Sequence, residues 1–518
     1  MADLNAVPAP IYIEWHRLIA ALQTLLGGYP QPIYLVGGVV RDALLRRASH
    51  DLDFVCIGDG RKPAKRIADH FGGAYYPLDS EREIGRAIIE FEGERFVLDV
   101  SRARGATLLD DLTGRDFTIN ALAVPLEGEM QTIIDPLGGI SDVMKKIIRR
   151  CSPTAIADDP IRALRGVRQS TSFQMQIEPQ TRKDIREYGV NIAHSSVERV
   201  RDELINLLNG PRPHAALRTL DLLGLLKLIL PEVDTMRGVT QSLPHVFDVW
   251  EHTLNVVEQL DGILHTISPY RTSESAGNTA DGMIVYLLDQ YRRQLQDHLA
   301  TPLPNGRSVR ALLMLAALLH DCGKPATRTV GDDGRIHFYK HELEGAQIAD
   351  QRATALRLST EEVSRLSAIV RHHMRPVHLE DALSAKGELS RRSIFRYWNA
   401  TGLAGVDVCI LTLADYLGTV GAHMNLQDWI QRIQTVSPLL EGYFLKRAEI
   451  VAPTPLISGN DLMQELALAP GPQIGQLLRS IQEAQASGEI LTREQALEFA
   501  RQLLHSGTSA ESDDPDAE

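Results

Sequence analysis

The 518 residues are 44% hydrophobic and 23% charged, with a net charge of −13, which is globular material for several domains and excludes a fibrous or wholly disordered chain. The acidic balance excludes a protein that coats nucleic acid by bulk charge, so phosphate binding must be local. The N-terminus lacks a basic and apolar leader, no uncharged apolar run reaches the roughly 20 residues of a bilayer span, and the four cysteines (Cys56, Cys151, Cys322, Cys409) form no CxxC pair; a reducing cytoplasm and no membrane partner are expected.

In chain order, residues 14–26 show helical apolar spacing, IYLVGG reads as a strand, and a helix starts near Val39. DLDFVCIG, AIIEFEG and FVLDVS are β-branched and aromatic strands of a small mixed sheet ending near residue 140. From Lys145 the pattern is helical. The fold class expected is α+β: a nucleotide-handling head over 1–142, an all-α neck and body over 143–240, a helical domain over 241–445, a C-terminal helical segment over 446–506, and a disordered acidic tail over 507–518. SPYRTSESAGNTADG reads as an insertion, and no internal repeat is evident. Between Asp142 and Arg168 seven basic residues face three acidic ones, which predicts a basic stripe behind the head.

LVGGVVRDALLRRASHDLDFVCIG carries two linked features. Gly37 and Gly38 end a strand and open a helix, so backbone N–H groups can approach a triphosphate, with Arg41 one turn on. Asp51 and Asp53 are spaced i, i+2 on a strand, about 6.6 Å apart on one face, and suit Mg²⁺. Asp99 in FVLDVS is the candidate third carboxylate. Asp159 and Arg162, three apart, are expected on one helix face, where acceptors and donors in a plane can imitate a complementary base; Arg165 and Arg168 beside them suit phosphate.

Further on, His252, the His320–Asp321 pair and Asp415 lie on predicted helices and offer imidazole and carboxylate to one divalent ion (Mn, Ni, Fe, Co or Mg). His341 and His373 can recruit a second, and Lys324 is expected at a substrate phosphate. His245, His337 and His372 are open between ligand and bystander.

GGVVRDALL, DLDF, GRDFTINALAV, DPLGGISDV, DDPIRALRGVR and VERVRDEL occur in that order. Over residues 30–210 the chain resembles class II tRNA nucleotidyltransferases and bacterial poly(A) polymerases, and HDCGK resembles the HD superfamily. The resemblance implies a polymerase-β-like head, ATP and CTP as substrates, tRNA as partner, and an HD phosphohydrolase. It also implies that Arg115 and Asp116 contact the ribose, that Asn120 approaches the triphosphate, and that Asp159 and Arg162 face the incoming base. The chain has Asp158 and Gly114 where the family usually has Glu and Arg, and the segment between Asp99 and Arg115 (VSRARGATLLDDLTG) is the counterpart of a loop that helps switch from CTP to ATP. A poly(A) polymerase, a protein-modifying nucleotidyltransferase regulator and an RNA-binding protein with dead sites are the alternatives.

Overall fold

The computed structural model describes residues 6–79, 81–268 and 279–505. The acidic tail over 507–518 and most of the expected insertion lie outside the described residues. The chain forms two compact units, Met1–Pro211 with Ala215–Ile229, and Arg212–His214 with Leu230–Glu518.

The first unit is built on an eight-stranded mixed sheet: β1 (Ala6–Pro8), β2 (Ile33–Val36), β3 (Asp51–Cys56), β4 (Ala74–Asp79), β5 (Ile84–Phe91), β6 (Glu94–Arg102), β7 (Ala123–Pro125) and β8 (Thr132–Ile134). Their order is β1-β8-β7-β2-β3-β6-β5-β4, with β3 and β6 parallel and their other neighbours antiparallel. Along β3 the pleat buries Leu52 and Phe54 and opens Asp51 and Asp53, so apolar alternation alone turns both carboxylates to one face. Sequence reading finds β2, β3, β5 and β6. It misses β1, β7 and β8, whose three residues carry no period, and β4, a largely exposed edge strand containing Pro77.

After the sheet come the neck helices, among them Ile161–Phe173 packed against Val197–Leu208. The neck is not wholly helical: Ile147–Ile148 pairs in parallel with Gln176–Ile177. The expected basic stripe is also corrected, because most of it is neutralised internally. Arg149 pairs with Asp142 and Glu178, Arg150 with Asp184, Arg165 with Asp116, and Arg168 with Glu203.

The second unit is mostly helical, but not wholly as expected: Arg328–Val330 and Ile336–Phe338 form an antiparallel two-stranded hairpin. Val249–Thr266 packs against Gly405–Val420, and His341–Ala355 against Thr360–His372. The C-terminal helices Gly459–Glu465, Pro472–Ser487 and Arg493–His505 enclose a core of their own around Leu462, Ile481 and Ala500.

Candidate active sites in the head and the helical body

β2 ends at Val36, Gly37 turns the chain at φ +75°, and the helix Gly38–Leu44 follows without a side-chain cap. A Cβ at Gly37 would lie 2.8 Å from Arg115 Nη1, so the turn excludes larger residues both by its positive φ and by close approach. The Gly37 N–H is not free, as expected, but donates to the Leu122 carbonyl at 3.1 Å; the open donors are those of the first helical turn after it. Antiparallel pairing of β2 with β3 sets this turn beside Asp53, whose Oδ2 is 3.8 Å from the Gly37 Cβ position.

Asp53 faces the resulting cleft, of about 1480 Å³. Burial pushes its carboxyl up, Arg115 opposes this, and Asp99 and Asp51 push it further. A carboxylate pushed up by burial and by two neighbouring carboxylates is a donor suited to a divalent cation. Every head and neck residue singled out from sequence lines this one cleft except Asp99, which is gripped by Arg86 at 2.7 Å through both oxygens.

Several of these side chains are already committed. Arg41 lies 4.0 Å over the Phe173 ring, bonds Asp42 and donates to Asn120 Oδ1 at 2.6 Å. Asn120 in turn donates to Asp116 and to Gln169. Asp116 Oδ2 is 3.0 Å from Arg165; burial opposes its ionisation, but Arg165, Asn120 and the Phe117 N–H win and hold it below 3.8. Asp111, Gln169 and Arg199 join the cleft without having been picked from the sequence. Asp111 lies four residues before Arg115 on the short helix and turn, a spacing that signals pairing.

The expected Asp159–Arg162 helical face is corrected. Asp159 ends the helix Ala155–Asp158 in an extended conformation (φ −147°), because the residue before Pro160 is driven out of helical geometry. Its Oδ2 accepts from Arg199 at 2.7 Å and is 3.9 Å from Arg162. Arg162 instead donates to the carbonyls of Gly114, Arg115 and Ala155.

In the second unit, His252 and Asp415 come from the two packed helices, His320–Asp321 from the end of Val309–Leu319, His341 from the start of the next long helix, and His373 from the end of Thr360–His372. Gly323 allows this assembly: a Cβ there would sit 2.2 Å from the His341 carbonyl oxygen. His252 Nε2 is 3.3 Å from Asp321 Oδ2 and 3.1 Å from Asp415 Oδ1, while His341 Nε2 and His373 Nε2 lie 3.4 and 3.8 Å from Asp321 Oδ1. The structure thus assembles two donor groups, His252–His320–Asp321 and Asp321–His341–His373, around one shared carboxylate.

The tautomers are fixed. His320, His341 and His373 each place Nδ1 2.7–2.8 Å from a backbone carbonyl, of Ala317, Phe338 and Val370, so Nδ1–H donates in all three, and in His341 and His373, which burial pushes toward the neutral ring, Nε2 keeps its lone pair. The Nε2 atoms of His341 and His373 consequently face each other at 3.2 Å. At that distance the two nitrogens share either a proton or a metal ion. Burial, with His341 and His320, pushes His373 down to about 3, which disfavours a proton there and fits a metal ion. Burial would raise Asp321 and Asp415, but the neighbouring imidazoles, with Lys324 for Asp321, hold both well below the usual carboxylate range.

Lys324, expected at a substrate phosphate, lies 2.6 Å from Asp321 Oδ2 and donates to Gln241 Oε1 at 2.8 Å. His337 stacks on Tyr339, and His372 accepts from Arg375, both outside the two donor groups. His245 lies with its ring 5.2 Å from that of His252.

Fold and clefts define a nucleotidyltransferase-type head joined to an HD-type helical body. Residues 33–149 match the poly A polymerase head domain, 174–236 the RNA and SrmB binding site of polymerase A, 249–419 the HD domain and 425–500 tRNA nucleotidyltransferase domain 2. The chain is 32% identical to the A-adding tRNA nucleotidyltransferase of Deinococcus radiodurans, over 91% of this chain and 96% of that one. It is 30% identical to the CC-adding tRNA nucleotidyltransferase of Thermus thermophilus, over 91% and 93%. In fold it is similar to a CCA-adding enzyme solved with ATP (TM-score 0.58, 18% identity, 94% and 95% covered) and to the Thermotoga maritima CCA-adding enzyme solved with tRNA (TM-score 0.53, 18% identity, 94% and 95% covered). The chain belongs to the tRNA nucleotidyltransferase and poly(A) polymerase family.

Proposed function

We propose that the head adds CMP or AMP, without a template, to the 3′ end of tRNA in the cytoplasm, and that the body is a metal-dependent phosphohydrolase. The observation that carries the first reading is the placement of Asp51 and Asp53 on one face of β3 beside the Gly37 turn, inside a cleft that also holds Arg115, Asp116, Asn120 and Arg165.

Asp51 and Asp53 would hold Mg²⁺, which supplies positive charge at the attacked phosphate and its leaving group. The chain's own residues prepare the rest. The first turn after Gly37 offers backbone donors to the triphosphate, and Arg115 adds a fixed positive charge next to Asp53. The Asp116–Asn120–Gln169–Arg41 network is buried and mutually bonded, so it holds the cleft wall rigid for the sugar and phosphates. Asp159, with Arg199 and Arg162 behind it, presents the polar edge that faces the base.

In the body, His252, His320, Asp321 and Asp415 would hold one divalent ion and Asp321, His341 and His373 a second, of the Mn, Ni, Fe, Co or Mg class. Such a pair supplies a hydroxide nucleophile for a phosphoester.

The deciding experiment is extension of tRNA lacking its 3′ CCA with CTP alone, ATP alone and both, sized on a gel. Incorporation into tRNA that is lost in Asp53→Ala, with phosphatase activity kept, is expected; labelling that persists in Asp53→Ala sinks the metal assignment. Loss of phosphatase activity alone is expected in Asp321→Ala.

A further inference from the structure

Three adjacent strands set Asp53, Asp99 and Arg86 in a single row. Asp53 on β3 stands opposite Asp99 on β6, and Asp99 stands opposite Arg86 on β5. All three alternate with buried neighbours onto the same open face. Directly opposed residues lie about 5 Å apart, so the row carries the charge order minus, minus, plus across one face of the sheet, and of the three only Asp53 lines the cleft.

Arg86 closes on Asp99 with both arms of its guanidinium, Nε to Oδ1 and Nη2 to Oδ2, each at 2.7 Å. The two side chains remain 38% and 26% exposed. The fork is bidentate, the geometry in which an Arg–carboxylate pair is strongest, yet it stays open enough to water for its partners to exchange. Asp51 and Asp53 also act on the Arg86 charge, so one cation answers to three carboxylates. Arg115 lowers Asp53 in turn and is itself held by Asp111.

We infer that Arg86 competes with the head's divalent ions for Asp99: with the fork closed the ions rest on Asp51 and Asp53, and Asp99 joins them only as the guanidinium lets go. This rests on the reading of Asp51 and Asp53 as metal ligands. It makes Arg86 a positioning residue, a fixed cation whose release is coupled to metal entry, and it accounts for a third carboxylate that lies in register with the other two yet does not line the cleft.

The test is Mn²⁺ binding to the full-length protein without substrate, read from the free-ion electron paramagnetic resonance signal, with head ions defined as those lost in Asp53→Asn. Arg86→Gln is expected to tighten head Mn²⁺ binding on the order of tenfold, the size of a single coupled charge contact. Arg86→Lys, which keeps the charge but not the fork, is expected to tighten it less. Arg86→Gln/Asp99→Asn is expected to lose the gain. Unchanged or weaker Mn²⁺ binding in both Arg86 variants, or a double variant that binds as tightly as Arg86→Gln, overturns the inference. If Asp53→Asn loses no ion, the underlying metal site itself is wrong and the inference falls with it. Should Arg86→Gln not fold, Arg86→Lys against Asp99→Asn carries the comparison.

Discussion

Asp111 grips Arg115 at two points, 3.0 Å to Nε and 2.9 Å to Nη2, from a position only 2% exposed. Its other oxygen accepts from the backbone N–H of Arg104 at 3.2 Å, so one buried carboxylate ties the end of β6 to the guanidinium beside Asp53. Asp111→Asn keeps the shape and removes the charge. Steady-state kinetics with CTP and ATP should show KM for the nucleotide raised about tenfold and stability lowered by about 1–3 kcal/mol. A KM equal to wild type would mean that Arg115 needs no such anchor.

Gly37→Ala tests the turn. The added methyl meets Arg115 Nη1 at 2.8 Å and must adopt φ +75°. A loss of about 1–2 kcal/mol in chemical denaturation is expected from the backbone alone, with incorporation reduced about a hundredfold because Arg115 is displaced. Near-normal incorporation would show that the nest tolerates a side chain.

In the body, the shared carboxylate makes metal content diagnostic. Elemental analysis of the purified body-containing protein should give two bound ions there. His373→Ala should remove one, since only the Asp321–His341–His373 group includes it, and Asp321→Asn should remove both. Loss of both ions in His373→Ala would refute two separable sites.

Asp116 gives a pH signature. Its carboxyl is held below 3.8 in the fold: burial opposes ionisation, and Arg165, Asn120 and the Phe117 N–H overcome it. A depressed acid stabilises the fold above the unfolded value and loses that contribution as pH falls through the folded one. Asp116→Asn should therefore be less stable than wild type at pH 7, by about 1–3 kcal/mol because Arg165 loses its nearer charged partner and keeps only Glu203, and the gap should close as pH falls through the depressed value of the Asp116 carboxyl. Urea midpoints at pH 7, 5, 4 and 3 measure this; a gap constant with pH would mean that the pair contributes no charge-dependent stability.

How far the sequence reached depends on the kind of information each residue carries. Asp51 and Asp53 were legible as a pair because a strand's period of two is local, and their shared face follows from Leu52 and Phe54 seeking the core. The paired Gly37–Gly38 was legible as a turn for the same local reason. Arg162 was misread: its i, i+3 spacing from Asp159 implied one helix, while Pro160 broke that helix and three backbone carbonyls claimed the guanidinium. The basic stripe was misread too, because Asp184 and Glu203, the acids that neutralise Arg150 and Arg168, lie more than 30 residues away.

By itself, then, the sequence determined what repeats or adjoins along the chain: the opening strands, the glycine turn, the two-carboxylate spacing and the ordered histidines and aspartates of the body. Only the tertiary structure decided which partners those groups take. It placed Asp99 under Arg86 rather than in the cleft, turned Lys324 onto Asp321, and set His341 against His373 with both lone pairs inward. The physical reason is that backbone periodicity is fixed within a few residues, whereas pairing of charges and orientation of imidazoles depend on packing between segments far apart in the chain.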